Sequence, residues 1–346
     1  YFGQDDCSLL LFPMRDREPQ VLDCIGAMLR NTSSSSWVLE AEREPYDGGY
    51  QLPNPEHVRV INKCVEALAE APTYWNHIST LQLKGFNLSG SEAIHNLFSN
   101  TVALSSIIFE NCDMEDITSI GLLSGWSQPT WSQPTVETLA FNNCLVTMHE
   151  IWTLFSWMEM FPNLDNLVFN LRGENGSDLT DQVKSLLSRN RLYSLTTNCR
   201  IGIQELSDVL ADETSSLVDV EAVVYGGEPL KPLAEVLEKH NMTLSSLQLK
   251  SRDGTLLRWE TFEDGNRLLY YTLLNRHGRN DLLGSYASEA LLVHFLSDVQ
   301  KDDDPLLHNG RNPSMIVSVC FGLLSLDPTL WSGTAVLKNA CSGQKN

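Results

Sequence analysis

The chain has 346 residues, of which 42% are hydrophobic and 20% are charged, and its formal net charge at pH 7 is −20. This composition supplies enough apolar material for a substantial core and excludes global disorder. Proteins that bind nucleic acids gather Lys and Arg to neutralise phosphates, so we do not expect this acidic chain to bind DNA or RNA. A basic protein surface is an acceptable partner, and solubility alone is an equally good explanation of the acidity.

No apolar run approaches the roughly 20 residues that cross a bilayer, and the longest, residues 315–326, is predicted to be a buried helix. The eight cysteines are scattered and contain no C-x-x-C pair, which favours a reducing compartment over a disulfide framework or a zinc site. We therefore expect a cytoplasmic or nuclear protein without membrane, metal or cofactor. Because the sequence begins with Tyr1, a processed or truncated N-terminus stays open, and a targeting peptide would be invisible.

The first 75 residues are predicted to form an N-terminal α/β cap that includes a degenerate repeat. Residues 19–29 have the pattern of a helix, residues 37–39 that of a strand, and residues 57–68 that of a second helix. The end of a repeat array needs such a cap because an open end exposes core.

A repeated pattern occupies residues 76–255, with the order apolar-x-x-apolar-x-apolar. Its clearest copies are residues 78–83, 104–109, 136–141, 164–169 and 244–249, and fainter copies lie at 192–197 and 217–222. Each copy alternates like a half-buried strand. The central apolar residue of each copy is called its anchor, and neighbouring anchors are 25 to 32 residues apart. The anchors are Leu81, Ile107, Leu139, Leu167, Leu195, Val220 and Leu247.

The longest spacing has a simple explanation. Between the second and third anchors, Trp-Ser-Gln-Pro-Thr occurs twice in succession, at residues 126–130 and 131–135. Removing one copy restores the common spacing, so we interpret the duplication as an insertion in a surface loop.

Apolar triplets with i, i+3, i+4 spacing follow most copies, as expected for one face of a helix. Two of these helices are predicted to begin with capping boxes, Ser89 with Glu92 and Thr147 with Glu150. The triplets are Ile94/Leu97/Phe98, Ile151/Leu154/Phe155, Val183/Leu186/Leu187, Leu206/Val209/Leu210 and Leu233/Val236/Leu237.

A strand, turn and helix that recur in this way predict an α/β solenoid, with a parallel sheet on the inside of a horseshoe and helices outside. The pattern L-x-x-L-x-L-x-x-C/N resembles the ribonuclease-inhibitor-like class of leucine-rich repeats. Cys112 and Cys144 occupy the Cys/Asn position, and Phe86 occupies it in the first unit. In the fifth unit Arg200 stands there and Cys199 comes one place early, so its turn must differ. The full chain is also similar to uncharacterised leucine-rich-repeat proteins of diatoms.

Residues 256–346 are predicted to form a helical C-terminal cap. Helical patterns cover residues 268–274, 288–299 and 313–326, and the acidic run at residues 302–305 is interpreted as a solvated loop rather than a calcium site.

No catalytic motif is complete. His149 and Glu150 begin an H-E-x-x-H motif, but Thr153 replaces the second His that a zinc protease requires. Cys112 and Cys144 are expected to be buried and inert. We predict that the chain is not an enzyme, although a catalytic site built from distant residues remains an alternative.

The resemblance implies binding of a partner protein on the concave sheet, as an interaction module or scaffold. An alternative is a substrate-recognition adaptor of a larger assembly such as a ubiquitin ligase. Residues three places after each anchor form one predicted binding column: Lys84, Glu110, Asn142, Asn170, Asn198, Val223 and Lys250. Residues one place after each anchor form the other: Gln82, Ile108, Ala140, Val168, Thr196, Glu221 and Gln248. Amides beside apolar groups suit a protein or peptide, although stacked Asn side chains can also simply bond one another.

Overall fold

In this computed structural model, the residues described are 6–11, 18–31, 33–41, 54–70, 78–89, 104–114, 135–147, 161–172, 179–189, 191–257 and 264–276, with isolated positions at 93, 97, 151, 154, 155, 158, 159 and 279. The chain divides into two compact units. The first comprises Tyr1–Ile201, Ala222–Val224 and Arg252–Gly254; the second comprises Gly202–Glu221, Tyr225–Ser251 and Thr255–Asn346.

The first unit contains a parallel sheet whose strands follow one another in chain order. Leu81 lies opposite Ile107, which lies opposite Leu139, and the same alignment continues to Leu167 and Leu195. The register therefore confirms the alignment of the first five predicted repeats. The strands are β1 (Asp6–Leu11), β2 (Ser36–Ala41), β3 (Thr80–Lys84), β4 (Ser106–Glu110), β5 (Thr138–Cys144), β6 (Asn166–Leu171) and β7 (Ser194–Ile201).

The parallel sheet also extends beyond the predicted repeats towards the N-terminus. β2 confirms the strand predicted at residues 37–39, and Trp37 takes the place of an anchor opposite Leu81. β1 pairs with β2 in turn and was not predicted. The helices predicted at residues 19–29 and 57–68 are confirmed as α1 (Glu18–Asn31) and α2 (Pro55–Glu70), and α3 covers Thr180–Arg189.

Aromatic side chains fill the core of the first unit in three consecutive repeats, at the position two residues after the anchor. Phe109 stacks on Phe141 with ring centroids 5.3 Å apart, and Phe141 meets Phe169 edge to face at 5.6 Å. Phe155, from a predicted helix face, packs edge to face on Phe169 at 4.9 Å. Such aromatic pairs contribute about 0.5–1.5 kcal/mol each beyond the area they bury. Neighbouring repeats therefore stabilise one another through contiguous side chains.

A left-handed residue lies at the C-terminal end of the strand region in three consecutive repeats, four places after the anchor; in β5 it lies at a register shift just before the last residue of the strand. Gly85 has a φ of 75°, and both Asn111 and Asn143 have a φ of 54°. Gly and Asn are the residues that adopt this conformation at least cost, so the sequence fits the turn. In the fifth repeat no such turn follows, because β7 continues to Ile201 and keeps Cys199 on its buried side. The predicted local difference at Cys199 is confirmed.

The second unit contains α4 (Ile203–Leu210), α5 (Lys231–Lys239), β9 (Ser246–Lys250) and α6 (Gly265–Arg276), and β8 (Asp219–Val224) is divided between the two units. The strands predicted at the sixth and seventh anchors are thus present. The expected alternation breaks in β8, where Ala222, Val223 and Val224 are all buried. Val223 therefore does not line an open face as predicted, since burial is favourable for so apolar a side chain.

Several predicted features were placed correctly and others lie outside the described residues. Leu154, Leu186, Leu206 and Leu233 are buried as the helix patterns require. The capping residues Glu92 and Glu150, most of the duplicated segment, and the helices predicted at 288–299 and 313–326 fall outside the described ranges. No helix within those ranges is long and apolar enough to cross a membrane. The fold is an α/β arrangement compatible with a solenoid.

Candidate functional site

The first unit presents a second face of its sheet, here named the open face, formed by the half-buried side chains that alternate with the core residues. The strand register arranges these side chains in three rows. A hydroxyl-rich row contains Ser36, Thr80, Ser106, Thr138, Asn166 and Ser194. A middle row contains Val38, Gln82, Ile108, Ala140, Val168 and Thr196. A third row, the polar row, contains Glu40, Lys84, Glu110, Asn142 and Asn170.

The part of the open face on β2 to β4 is satisfied internally. The Nζ atom of Lys84 lies 3.8 Å from Glu40 Oε1 and 3.6 Å from Glu110 Oε1. Glu110 also accepts a hydrogen bond from Gln82 Nε2 at 2.8 Å and another from Asn111 Nδ2 at 3.2 Å. Exposed ion pairs of this kind contribute little stability, about 0–1 kcal/mol, but they leave few free groups for a ligand.

The part on β5 and β6 is different because two of its amides, those of Asn142 and Asn170, are not paired among the described residues. Asn142 lies directly opposite Asn170, yet among the described residues neither side-chain amide has a hydrogen-bond partner. Ile108, Ala140 and Val168 form an apolar strip beside these amides, in which Ala140 is buried and the other two are half-buried. A strip of apolar area flanked by unpaired donors and acceptors is the composition of a protein interface.

Asn198, the third predicted amide, has a structural role. Its Oδ1 accepts a hydrogen bond from the backbone N–H of Leu171 at 2.9 Å, and its Nδ2 donates to the Leu171 carbonyl at 2.7 Å. The regular backbone pairing of β6 with β7 ends at Phe169 and Thr197. Beyond that point, the side chain of Asn198 makes the hydrogen bonds to Leu171 that the backbone of β7 would otherwise make. Asn142, Asn170 and Asn198 therefore do not form one uniform column.

The predicted site residues of the second unit are described separately. Lys250 forms an ion pair with Glu221, so the charge of each is neutralised by the other. Gln248 is half-buried on the same strand as Lys250. This pair resembles the satisfied Lys84 cluster rather than the unpaired amides of the first unit.

The predicted columns do not include the residues just before the strands begin, two places before each anchor. Tyr193 lies there and is 52% exposed, the largest exposed fraction of any large hydrophobic residue in the described ranges. Glu137 and Asp165 hold the equivalent positions in the two preceding repeats and are also exposed. Only columns that alternate with the core were considered, although aligning the repeats also aligns these three.

The cysteines at the repeat position are buried, as predicted. The thiol of Cys112 donates to the carbonyl of Leu83 at 3.3 Å, and Cys144 makes the equivalent bond to Phe109 at 3.4 Å. Burial raises the pKa of the Cys112 thiol well above its usual range, and the hydrogen bond with the Cys144 thiol adds to the effect. A thiol held in its protonated form is a poor nucleophile and metal ligand.

The second unit has a groove of about 410 Å³ between α4 and α5. Its charged and polar side chains pair with one another: Gln204 donates to Asp208 at 2.9 Å, and Glu235 lies 3.8 Å from Lys231. The described part of the chain contains no group of three or more His, Cys, Asp or Glu side chains that could hold a metal ion. The expectations about metals, cofactors and enzymatic activity remain predictions.

No family model matches the chain, and no curated protein matches it in sequence. The resemblance to leucine-rich-repeat proteins, including those of diatoms, therefore rests on the residues described above. The fold and the open face define the structural class of this chain, which is an α/β protein with a parallel sheet built from strand–helix repeats.

Proposed function

We propose that this chain is a leucine-rich-repeat protein of the ribonuclease-inhibitor-like class and that it binds a partner protein or peptide on the open face of its sheet. The aligned anchors, the left-handed residue four places after the anchor in three successive repeats and the buried Cys112 and Cys144 support the assignment to the repeat class. In such repeats the face opposite the helices is accessible along its length.

One observation carries the functional proposal. On β4 to β6, the unpaired amides of Asn142 and Asn170 lie beside the strip of Ile108, Ala140 and Val168. A partner that covers this strip gains the free energy of apolar burial, roughly 25 cal/mol per Å², and can satisfy both amides. Amides offer a donor and an acceptor each, so they suit a peptide backbone or a polar side chain.

The test begins with affinity capture of the intact chain from its own cell lysate and identification of the bound proteins. The affinity of the purified partner is then measured for two open-face variants, Val168→Asp and the double variant Asn142→Ala with Asn170→Ala. We expect both to weaken binding, by about tenfold or more for the buried charge of Val168→Asp.

A matched control removes two exposed amides from helices, Gln20→Ala in α1 and Gln204→Ala in α4. This control should keep the affinity of the wild-type chain. Thermal unfolding of each variant verifies that the fold is retained. Unchanged affinity in both folded open-face variants would move the binding site to the helices or to the ends of the array.

A further inference from the structure

The position two residues before the anchor changes its chemistry along the first unit. In the earlier repeats it is serine: the hydroxyl of Ser79 donates to the carbonyl of Ser35 at 3.2 Å, and that of Ser105 donates to the carbonyl of Ser79 at 3.2 Å. In the next three repeats it is Glu137, Asp165 and Tyr193. These three residues are named the edge patch.

The backbone holds the edge patch together. The N–H of Asp165 donates to the carbonyl of Glu137 at 2.8 Å, and the N–H of Tyr193 donates to the carbonyl of Asp165 at 2.7 Å. Successive members therefore stand one strand spacing apart, about 4.8 Å. Their side chains leave the same edge of the sheet as immediate neighbours.

Among the described residues, no cation compensates the two acids of the edge patch. Both are exposed, and among the described residues neither Glu137 nor Asp165 forms an ion pair or a side-chain hydrogen bond. Arg191, two residues before Tyr193, is exposed and pairs with neither of them. By contrast, Lys84 lies between two acids on the open face of the same sheet and is paired with both.

Tyr193 adds an exposed aromatic ring to these charges. An aromatic face beside carboxylates attracts an ammonium or guanidinium group through both cation–π and Coulomb interactions. A neutral or acidic partner would gain neither interaction. The formal net charge of the chain, −20 at pH 7, also favours a positively charged partner.

We propose that the edge patch and the adjoining apolar strip bind an extended, Lys- or Arg-bearing segment of a partner protein. This inference rests on the proposed function and specifies its partner. The basic side chain lies at Asp165, between the carboxylate of Glu137 on one side and the ring of Tyr193 on the other, and apolar side chains of the segment cover Ala140 and Val168. From Glu137 to Asn142 is about five residues of strand, or roughly 17 Å, so a segment of about five extended residues spans the surface.

The probe is a fluorescent peptide of about twelve residues that contains Arg, Leu and Gly in equal numbers, with a charge-reversed peptide in which Glu replaces Arg. Binding to the full chain is measured by fluorescence anisotropy at an ionic strength of about 0.1 M. We expect the Arg peptide to bind and the Glu peptide not to bind. The double variant Glu137→Gln with Asp165→Asn should weaken the Arg peptide about fivefold to tenfold.

The matched control is Asp181→Asn with Glu213→Gln, which makes the same change in net charge at exposed acids outside the edge patch. It should weaken binding of the peptide less than twofold. Non-specific attraction depends on the total charge, and the control removes only two charges from a net charge of −20. Tyr193→Ala should weaken the peptide, whereas Tyr193→Phe should retain it, because the ring and not the hydroxyl binds the cation.

Equal losses in the edge variant and the control variant would overturn the inference. If the partner found by affinity capture loses affinity for Val168→Asp but not for the edge variant, the open-face function stands and the basic-segment inference fails. If neither variant changes its affinity, both fail.

Discussion

The side-chain amide of Asn143 donates to the side-chain oxygen of Asn111 at 2.7 Å, and both residues have the same left-handed φ of 54°. The two residues occupy the same position in neighbouring repeats, where Gly85 stands in the repeat before them. The backbone conformation of the turn and the bond between repeats are thus supplied by one residue type. Asn is suited to both because it tolerates the left-handed region and carries a donor and an acceptor.

Asn143 gives the first prediction. Asn143→Ala should destabilise the fold by about 1–2 kcal/mol, since Ala is strained at positive φ and the bond to Asn111 is lost. Asn143→Gly also loses the bond to Asn111, but Gly adopts positive φ without strain. It should therefore reduce the free energy of unfolding clearly less than Asn143→Ala does. Urea unfolding of the three proteins measures the difference. Equal stability of the Ala and Gly variants would contradict the role of the backbone conformation.

The second prediction concerns pH and Cys64, whose thiol pKa is raised to about 12 by burial in the core of the first unit. Above the ordinary thiol pKa the unfolded chain loses this proton while the folded chain keeps it, so stability is complete below about pH 8.5 and declines as pH rises towards 12. Cys64→Ala should be less stable at neutral pH but lose less stability between about pH 8 and 10. Urea unfolding across this range provides the measurement, and parallel slopes for the two proteins would contradict the prediction.

The third prediction concerns Arg279, whose side chain is buried in the second unit. Its two terminal nitrogens donate to the carbonyls of Leu237 at 2.7 Å and of Glu238 at 2.6 Å, so it caps the last turn of α5. Its guanidinium carbon also lies 5.1 Å from the centre of the Tyr271 ring. Arg279→Ala should destabilise this unit by about 2–3 kcal/mol, because both carbonyls lose a charged donor near the negative end of the helix.

Arg252→Ala is the matched control for Arg279→Ala, since Arg252 is exposed and should change stability by less than about 0.5 kcal/mol. Thermal unfolding compares the two variants. A similar melting temperature for both would show that the buried contacts of Arg279 contribute nothing measurable.

The fourth prediction concerns the duplicated Trp-Ser-Gln-Pro-Thr segment. Deletion of residues 131–135 leaves the first copy directly before Val136, and Thr130 then stands where Thr135 donates to the carbonyl of Leu104 at 3.1 Å. We expect the melting temperature to change little, because shortening a long loop alters closure entropy only slightly. A large decrease would show that the second copy packs into the core.

Spacing alone was sufficient to locate the repeats. Leu81, Ile107, Leu139, Leu167 and Leu195 recur at nearly constant intervals, and the strands pair at these residues. The reason is physical: a side-chain period of two leaves one register that buries every anchor, since a slip of one residue would turn the whole apolar set to solvent.

What lies on the open face was only partly predictable. The sequence placed Asn142, Asn170 and Asn198 in one column. In the structure the side chain of Asn198 bonds to the backbone of Leu171, whereas the other two have no partner among the described residues. It placed Val223 on that column as well, and the structure buries it. A repeat pattern predicts which position in the repeat a residue occupies. The hydrogen bonds of that residue's side chain depend in addition on where each strand ends relative to its neighbours.

The sequence by itself therefore determined the alignment of the first five repeat strands and which side of each is buried, because hydrophobic burial acts on each repeat in the same way. Only the tertiary structure decided which polar groups are satisfied. Lys84 and Glu110 neutralise each other, whereas Glu137 and Asp165 have no cation within reach in the described part of the chain. Pairing depends on distances of a few ångströms between side chains from different repeats, and no regularity in the sequence encodes such distances.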